Sequence, residues 1–152
     1  MNKFVQPGRL KIKDETILMP EFVGLRMVFI PCSSNKKFDK KLDISLSKKW
    51  PKVKEDFKLW SQSFTNFKLG EISDSALMSD LWVVYGLCKN DEDKVDSAAL
   101  EKCIKKLSAL SKNYKGSLHF SSSSIEEIPE LADMIEKELI QNGITVYLYN
   151  KL

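Results

Sequence analysis

Glycine and histidine are scarce in this chain, with six of the first and one of the second in 152 residues. A single histidine, His119, excludes a metal site built from several imidazoles. Cys32, Cys88 and Cys103 are odd in number and show no Cys-x-x-Cys spacing, which excludes a disulfide framework or a zinc cluster. Reduced, buried thiols are expected, and neither a metal nor a cofactor. Long apolar runs are missing as well. The longest, residues 27–30 and 81–85, are far too short to span a bilayer, and the start has no run of signal-peptide length, so a soluble, cytoplasmic protein without membrane contact is expected. Charge of one sign is not in excess either, since 24 Lys and Arg face 21 Asp and Glu. That balance is too mild to imply a nucleic-acid partner by itself.

What is present suffices for one domain spanning residues 1–152. Apolar residues make up 43% of the chain, enough for one continuous core at this length. Residues 10–13 and 16–19 are predicted as short edge strands and residues 25–30 as a central strand that Pro31 ends. From residue 42 the period changes: Leu42, Leu46, Trp50, Val53, Phe57, Trp60 and Phe64 recur three or four apart among lysines, the pattern of an amphipathic helix facing a core. Pro51 divides it, sitting in the first turn of a second segment where its missing N–H costs nothing.

Residues 69–72 begin a strand, and the run 80–87 is apolar enough to be covered on both faces. Asp96 or Ser97 caps a helix carrying Leu100, Ile104, Leu107 and Leu110, which Gly116 stops. Residues 117–120 form a strand, residues 126–141 a third helix ended by Asn142-Gly143, and residues 144–149 a last strand. The alternation implies an α/β fold with a mixed central sheet between helices. In such sheets ligands bind at the carboxyl ends of strands, so chemistry is sought in the loops after Ile30 and after Phe120.

The segments Leu46-Ser47-Lys48-Lys49-Trp50-Pro51 and Phe67-Lys68-Leu69-Gly70-Glu71-Ile72 resemble the small macrodomains of tailed bacteriophages, such as T4-like phages, and of bacteria. Further likeness lies in Ala99-Leu100-Glu101-Lys102-Cys103, in Met134-Ile135-Glu136-Lys137-Glu138-Leu139 and in Gly143-Ile144-Thr145-Val146-Tyr147-Leu148-Tyr149. The resemblance implies a macrodomain-like three-layer α/β/α sandwich, a phage accessory protein working in the host cytoplasm, and the family's ADP-ribose chemistry: phosphate removal from ADP-ribose-1″-phosphate or cleavage of ADP-ribose from proteins. Two glycine-rich loops carry that chemistry in the family, because a Cβ would block the approach of backbone N–H groups to a phosphate. Here the first loop is Cys32-Ser33-Ser34-Asn35-Lys36-Lys37-Phe38-Asp39-Lys40-Lys41, without glycine. The second is Ser121-Ser122-Ser123-Ser124-Ile125-Glu126-Glu127, also without glycine and shorter. Both phosphate cradles are altered together, which implies a degenerate, non-catalytic binding or interaction module for a host protein or a nucleotide.

Ser33, Ser34 and Asn35 are candidates to hydrogen-bond a ribose or base, or else to cap the following helix. Lys36 and Lys37, with Lys40 and Lys41, flank the same end and could replace backbone amides by side-chain charge. Ser121, Ser122 and Ser123 are candidates to receive an anion at a helix start, against a capping box between Ser124 and Glu127. A rearranged phosphatase or hydrolase using Ser33, Asn35 and Lys36 is the enzymatic alternative. Nucleic-acid binding through the lysines of the stretch 36–58 is a third, set against the solvated face of a helix. Trp50, Trp60, Trp82 and His119 are assigned to packing, and Cys32 lacks a group to stabilise a thiolate beyond the nearby lysines.

Overall fold

The computed structural model describes residues 8–21, 23–36 and 40–151. Its strands are β1 (Leu10–Thr16), β2 (Arg26–Ser33), β3 (Ile72–Met78), β4 (Leu81–Lys89), β5 (Ser117–Ser121) and β6 (Val146–Lys151). They form one sheet in the order β1-β6-β5-β2-β4-β3, parallel throughout except for the β3–β4 hairpin. Helices α1 (Lys40–Lys49) and α2 (Pro51–Ser61) cover one face, and α3 (Ser97–Tyr114), α4 (Ser122–Glu127) and α5 (Glu130–Met134) cover the other. The result is a three-layer α/β/α sandwich.

The two-residue period of β2 divides the core between these layers. Met27 and Phe29 point to the side of Leu100, Ile104, Leu107, Leu131 and Leu139, whereas Val28 and Ile30 point to Leu42, Leu46, Val53 and Phe57. The helical stripe is therefore buried as expected from Leu42 to Phe57, with Trp60 partly buried and Pro51 at the first position of α2. Asp96 caps α3, its Oδ1 accepting from the Ala99 N–H at 2.9 Å.

Several expectations are corrected. Pro31 does not end the central strand, because β2 runs on to Ser33. The Arg26 N–H bonds toward β4, so alternation turns residue 31 toward β5, and β5 pairing has stopped at Val28↔His119. The missing N–H thus costs no ladder bond. The second edge strand does not form: β1 ends at Thr16 and residues 17–19 turn away, closed by the Met19 N–H on the Thr16 carbonyl. Phe64 lies beyond the end of α2 and is 99% exposed, so it leaves the core stripe.

The left-handed residue that ends α3 is Lys115 (φ 54°), not Gly116. Gly116 serves space instead: a Cβ there would lie 2.8 Å from Met27 Cε. The single helix expected over 126–141 is broken. Pro129 follows α4, and α5 runs into a π turn (Ile135–Leu139) and a 3₁₀ turn (Ile140–Asn142), ended by Gly143 at φ 86° as expected.

Candidate functional site

From β2 the chain moves to β3 and β4, then crosses through α3 to β5 on the other side of β2. The carboxyl ends of β2 and β5 therefore flank the point where strand order reverses, the usual ligand crevice of an open α/β sheet. Strand β2 stays paired with β4 as far as Ser33↔Lys89, while its pairing with β5 stops at Val28↔His119. Residues 33–36 and the serine run 121–124 are thus delivered to the same pole.

The hydroxyls there are bound internally. Ser33 Oγ, fully buried, donates to the Asn90 carbonyl at 2.8 Å and accepts from the Asn35 N–H at 3.4 Å. Ser34 Oγ bonds Asp91 Oδ1 at 2.5 Å. Both serines tie the loop after β2 to the loop after β4. Lys36 is exposed and left-handed at φ 68°. Across the crevice, Ser121 caps α4 by accepting from the Ser123 N–H at 3.2 Å, and its Oγ lies 2.7 Å from Ser123 Oγ. Ser122 is half-buried. Ser124 is the odd one: its Oγ is buried and has no hydrogen-bond partner.

A buried ion pair joins the elements that flank β2. Lys89, at the end of β4 and 2% exposed, bonds Glu127 of α4, with Asp93 Oδ1 3.8 Å away. Burial pulls the Lys89 ammonium down, but the hydrogen bond and charge of Glu127, helped by Asp93, outweigh it and the net shift is upward. Lys89→Met is expected to cost about 1–2 kcal/mol in urea unfolding. That is less than the usual loss on breaking a buried pair, because Glu127 is a third exposed and water can take up its charge. Lys89→Met with Glu127→Leu should recover most of the loss; no recovery would show that the pair is not the source.

The fold itself has relatives among solved structures. A macrodomain protein from Streptomyces coelicolor superposes with a TM-score of 0.84 at 16% identity, over 95% of this chain and 100% of its own. A protein of unknown function from Bacteroides thetaiotaomicron gives 0.83 at 20% identity, over 93% and 98%. This chain has a macrodomain fold. Thermosipho africanus DarTG, solved in complex with ADP-ribose, is similar with a TM-score of 0.71 at 14% identity, covering 92% of this chain and 41% of that one. No family model matches the sequence, and no curated protein matches it either.

Within the macrodomain fold, the residues singled out from sequence fall at one pole but not into one cluster of free groups. Ser33, Ser34, Ser121 and Ser123 are held by the bonds described above, and Asn35 is half-buried behind Ser33. Lys37 lies outside the described residues, as do Phe38 and Asp39 and the side chains of Lys40 and Lys41. The capping box expected between Ser124 and Glu127 is not formed: Ser121 is the cap and Glu127 pairs with Lys89. Cys32 is fully buried, and desolvation pushes its thiol well above the ordinary range. Among the described residues, no group of three or more His, Cys, Asp or Glu could hold a metal ion, and no helix is long and apolar enough to cross a membrane.

Lys89, and its pairing with Glu127, escaped the sequence analysis. The signal was a lysine closing the apolar run Leu81-Trp82-Val83-Val84-Tyr85-Gly86-Leu87-Cys88, where burial of the charge demands a partner.

Proposed function

We propose that this macrodomain-fold protein is a non-catalytic binding or interaction module, and that the family's ADP-ribose chemistry has been lost from its site. The observation that carries this is the internal commitment of Ser33, Ser34, Ser121 and Ser123 in two loops that contain no glycine. A hydroxyl already donating to a carbonyl or carboxylate, or capping a helix, gives up a structural bond to take a ligand. The chain's single histidine does not serve them as a general base: His119 is buried within β5 and bound to Ser117 and Tyr149. Its partner would be a host protein or a nucleotide other than ADP-ribose, in keeping with an accessory role in a phage-infected cell. Calorimetry with ADP-ribose is expected to give no stoichiometric heat; tight one-to-one binding would overturn the reading.

The second reading is an ADP-ribose phosphatase or hydrolase with rearranged loops, favoured by the likeness to Thermosipho africanus DarTG in complex with ADP-ribose. Product release from ADP-ribose-1″-phosphate or from an ADP-ribosylated protein would establish it. Nucleic-acid binding through the helical lysines has less support, since Lys52 pairs with Asp56 and Lys54 with Asp43, each at 2.7 Å.

A further inference from the structure

A second concavity, of about 460 Å³, opens at the opposite pole, where β5 and β6 begin, α3 ends and the turn at Asn142 and Gly143 comes up beside them. Three of its lining side chains are lysines from two separate elements: Lys11 of β1, and Lys112 and Lys115 at the end of α3. No Asp or Glu among the described residues lines it. Among the described residues, none of the three ammonium groups pairs with a carboxylate. Lys112 Nζ reaches only Asn142 Oδ1, at 3.5 Å, and Lys11 Nζ lies 5.4 Å from the centre of the Tyr147 ring. Like charges gathered without counter-charge raise the local potential and favour an anion.

Lysines near a helix C-terminus often only complement its exposed carbonyls. Here that role is partly filled already. The Lys115 and Gly116 N–H groups both bond the Ser111 carbonyl, while Ser111 Oγ bonds the Gly116 carbonyl. Lys11, on a strand, has no helix end to complement. Lys115 also occupies a left-handed position that glycine or asparagine would adopt with less strain, and holds a charge on the rim of the cleft there. The remaining wall is mixed, with Val23, Ile144 and Tyr147 set among Ser117, Asn142 and Thr145.

We propose that this cleft binds an oligophosphate group, with the lysines on its charges and Val23 and Tyr147 beside whatever bears them. Two sources share that chemistry, a linear inorganic polyphosphate and the tail of a nucleotide. The test is titration of the full chain with inorganic tripolyphosphate and with ATP at low salt, on the wild type and on the double variant Lys112→Ala/Lys115→Ala. Binding is expected for at least one probe, weakened about tenfold or more by the double substitution, the loss of one charge-assisted hydrogen bond or more. A Lys102→Ala/Lys105→Ala control, which removes two exposed charges from the middle of α3 outside the cleft, should bind as the wild type does. ATP binding more tightly than tripolyphosphate would place a ring against Val23 and Tyr147; equal binding would identify the phosphates alone as the ligand. Absence of binding to both probes, binding untouched by the cleft substitutions, or equal weakening in the mid-helix control would overturn the proposal.

Discussion

Phe120→Ala is expected to lower the unfolding free energy by about 3–5 kcal/mol, which is a large part of the roughly 5–15 kcal/mol that holds a domain of this size together. Phe120 is fully buried, its ring 5.5 Å from that of Phe29, in the core layer that includes Ile128 and Leu131. It is also the residue before Ser121, so the same side chain that fills the core anchors the serine run at the site. Removing the ring leaves a cavity between β5 and β2, where neighbours from both the sheet and α5 would have to move to close it. The urea midpoint should fall with an unchanged slope, and Phe120→Leu should lose less because most of the volume is kept. An alanine variant within about 1 kcal/mol of wild type would mean that the layer can collapse onto the gap and that the serine run is not rigidly anchored.

Much of the fold was legible because the periods that specify it are local. The three-to-four spacing of Leu42, Leu46, Val53 and Phe57 and the unbroken apolar run of β4 each declare a type of element and a buried face. The errors arise where a local signal acts through a distant partner. Proline at residue 31 is harmless only because its nitrogen, which carries no hydrogen, faces the flank that β5 has left, a fact fixed by register with a strand nearly ninety residues on. Phe64 fits the stripe by spacing, but α2 ends at Ser61 and the next turns face water. Pro129 was visible in the sequence and does break the helix, a signal outweighed by the apolar stripe of Leu131, Ile135 and Leu139.

The place of the two candidate loops in the fold was legible, and the bonding of their side chains was not. Alternation of strands and helices placed residues 33–36 and 121–124 at the carboxyl pole, and the structure brings both there. Whether a serine there faces a ligand or its own fold depends on partners such as Asn90 and Asp91, fifty-seven residues away, which no spacing rule connects to Ser33 and Ser34. The cleft at the other pole was invisible for the same reason: Lys11, Lys112 and Lys115 meet only when β1 is laid beside β6 and α3 returns to β5.

The other large effect is a pH dependence carried by His119. Its ring is fully buried, stacked on Tyr147 at 4.7 Å, with Nδ1 2.8 Å from Tyr149 Oη and Nε2 2.8 Å from Ser117 Oγ. The partners fix the tautomer. Ser117 Oγ donates to the Leu25 carbonyl and so accepts from Nε2–H, while Tyr149 Oη accepts from the Glu21 N–H and donates its own proton to Nδ1. A second ring proton would face that O–H and break the bond. Burial therefore lowers the pKa to about 3, and the charge of Arg26 adds to it.

An unfolded chain restores an ordinary value near 6.5 and binds one proton more than the native state between the two pKa values. Stability is thus complete above about pH 6.5 and falls on acidification by about 1.4 kcal/mol per pH unit from this group. His119→Gln removes the titration, and carboxylates common to both proteins cancel in the difference. From pH 7 to pH 5 the wild type is expected to lose about 2 kcal/mol relative to the variant in urea unfolding. Parallel pH profiles would show that His119 takes up its proton in the folded protein.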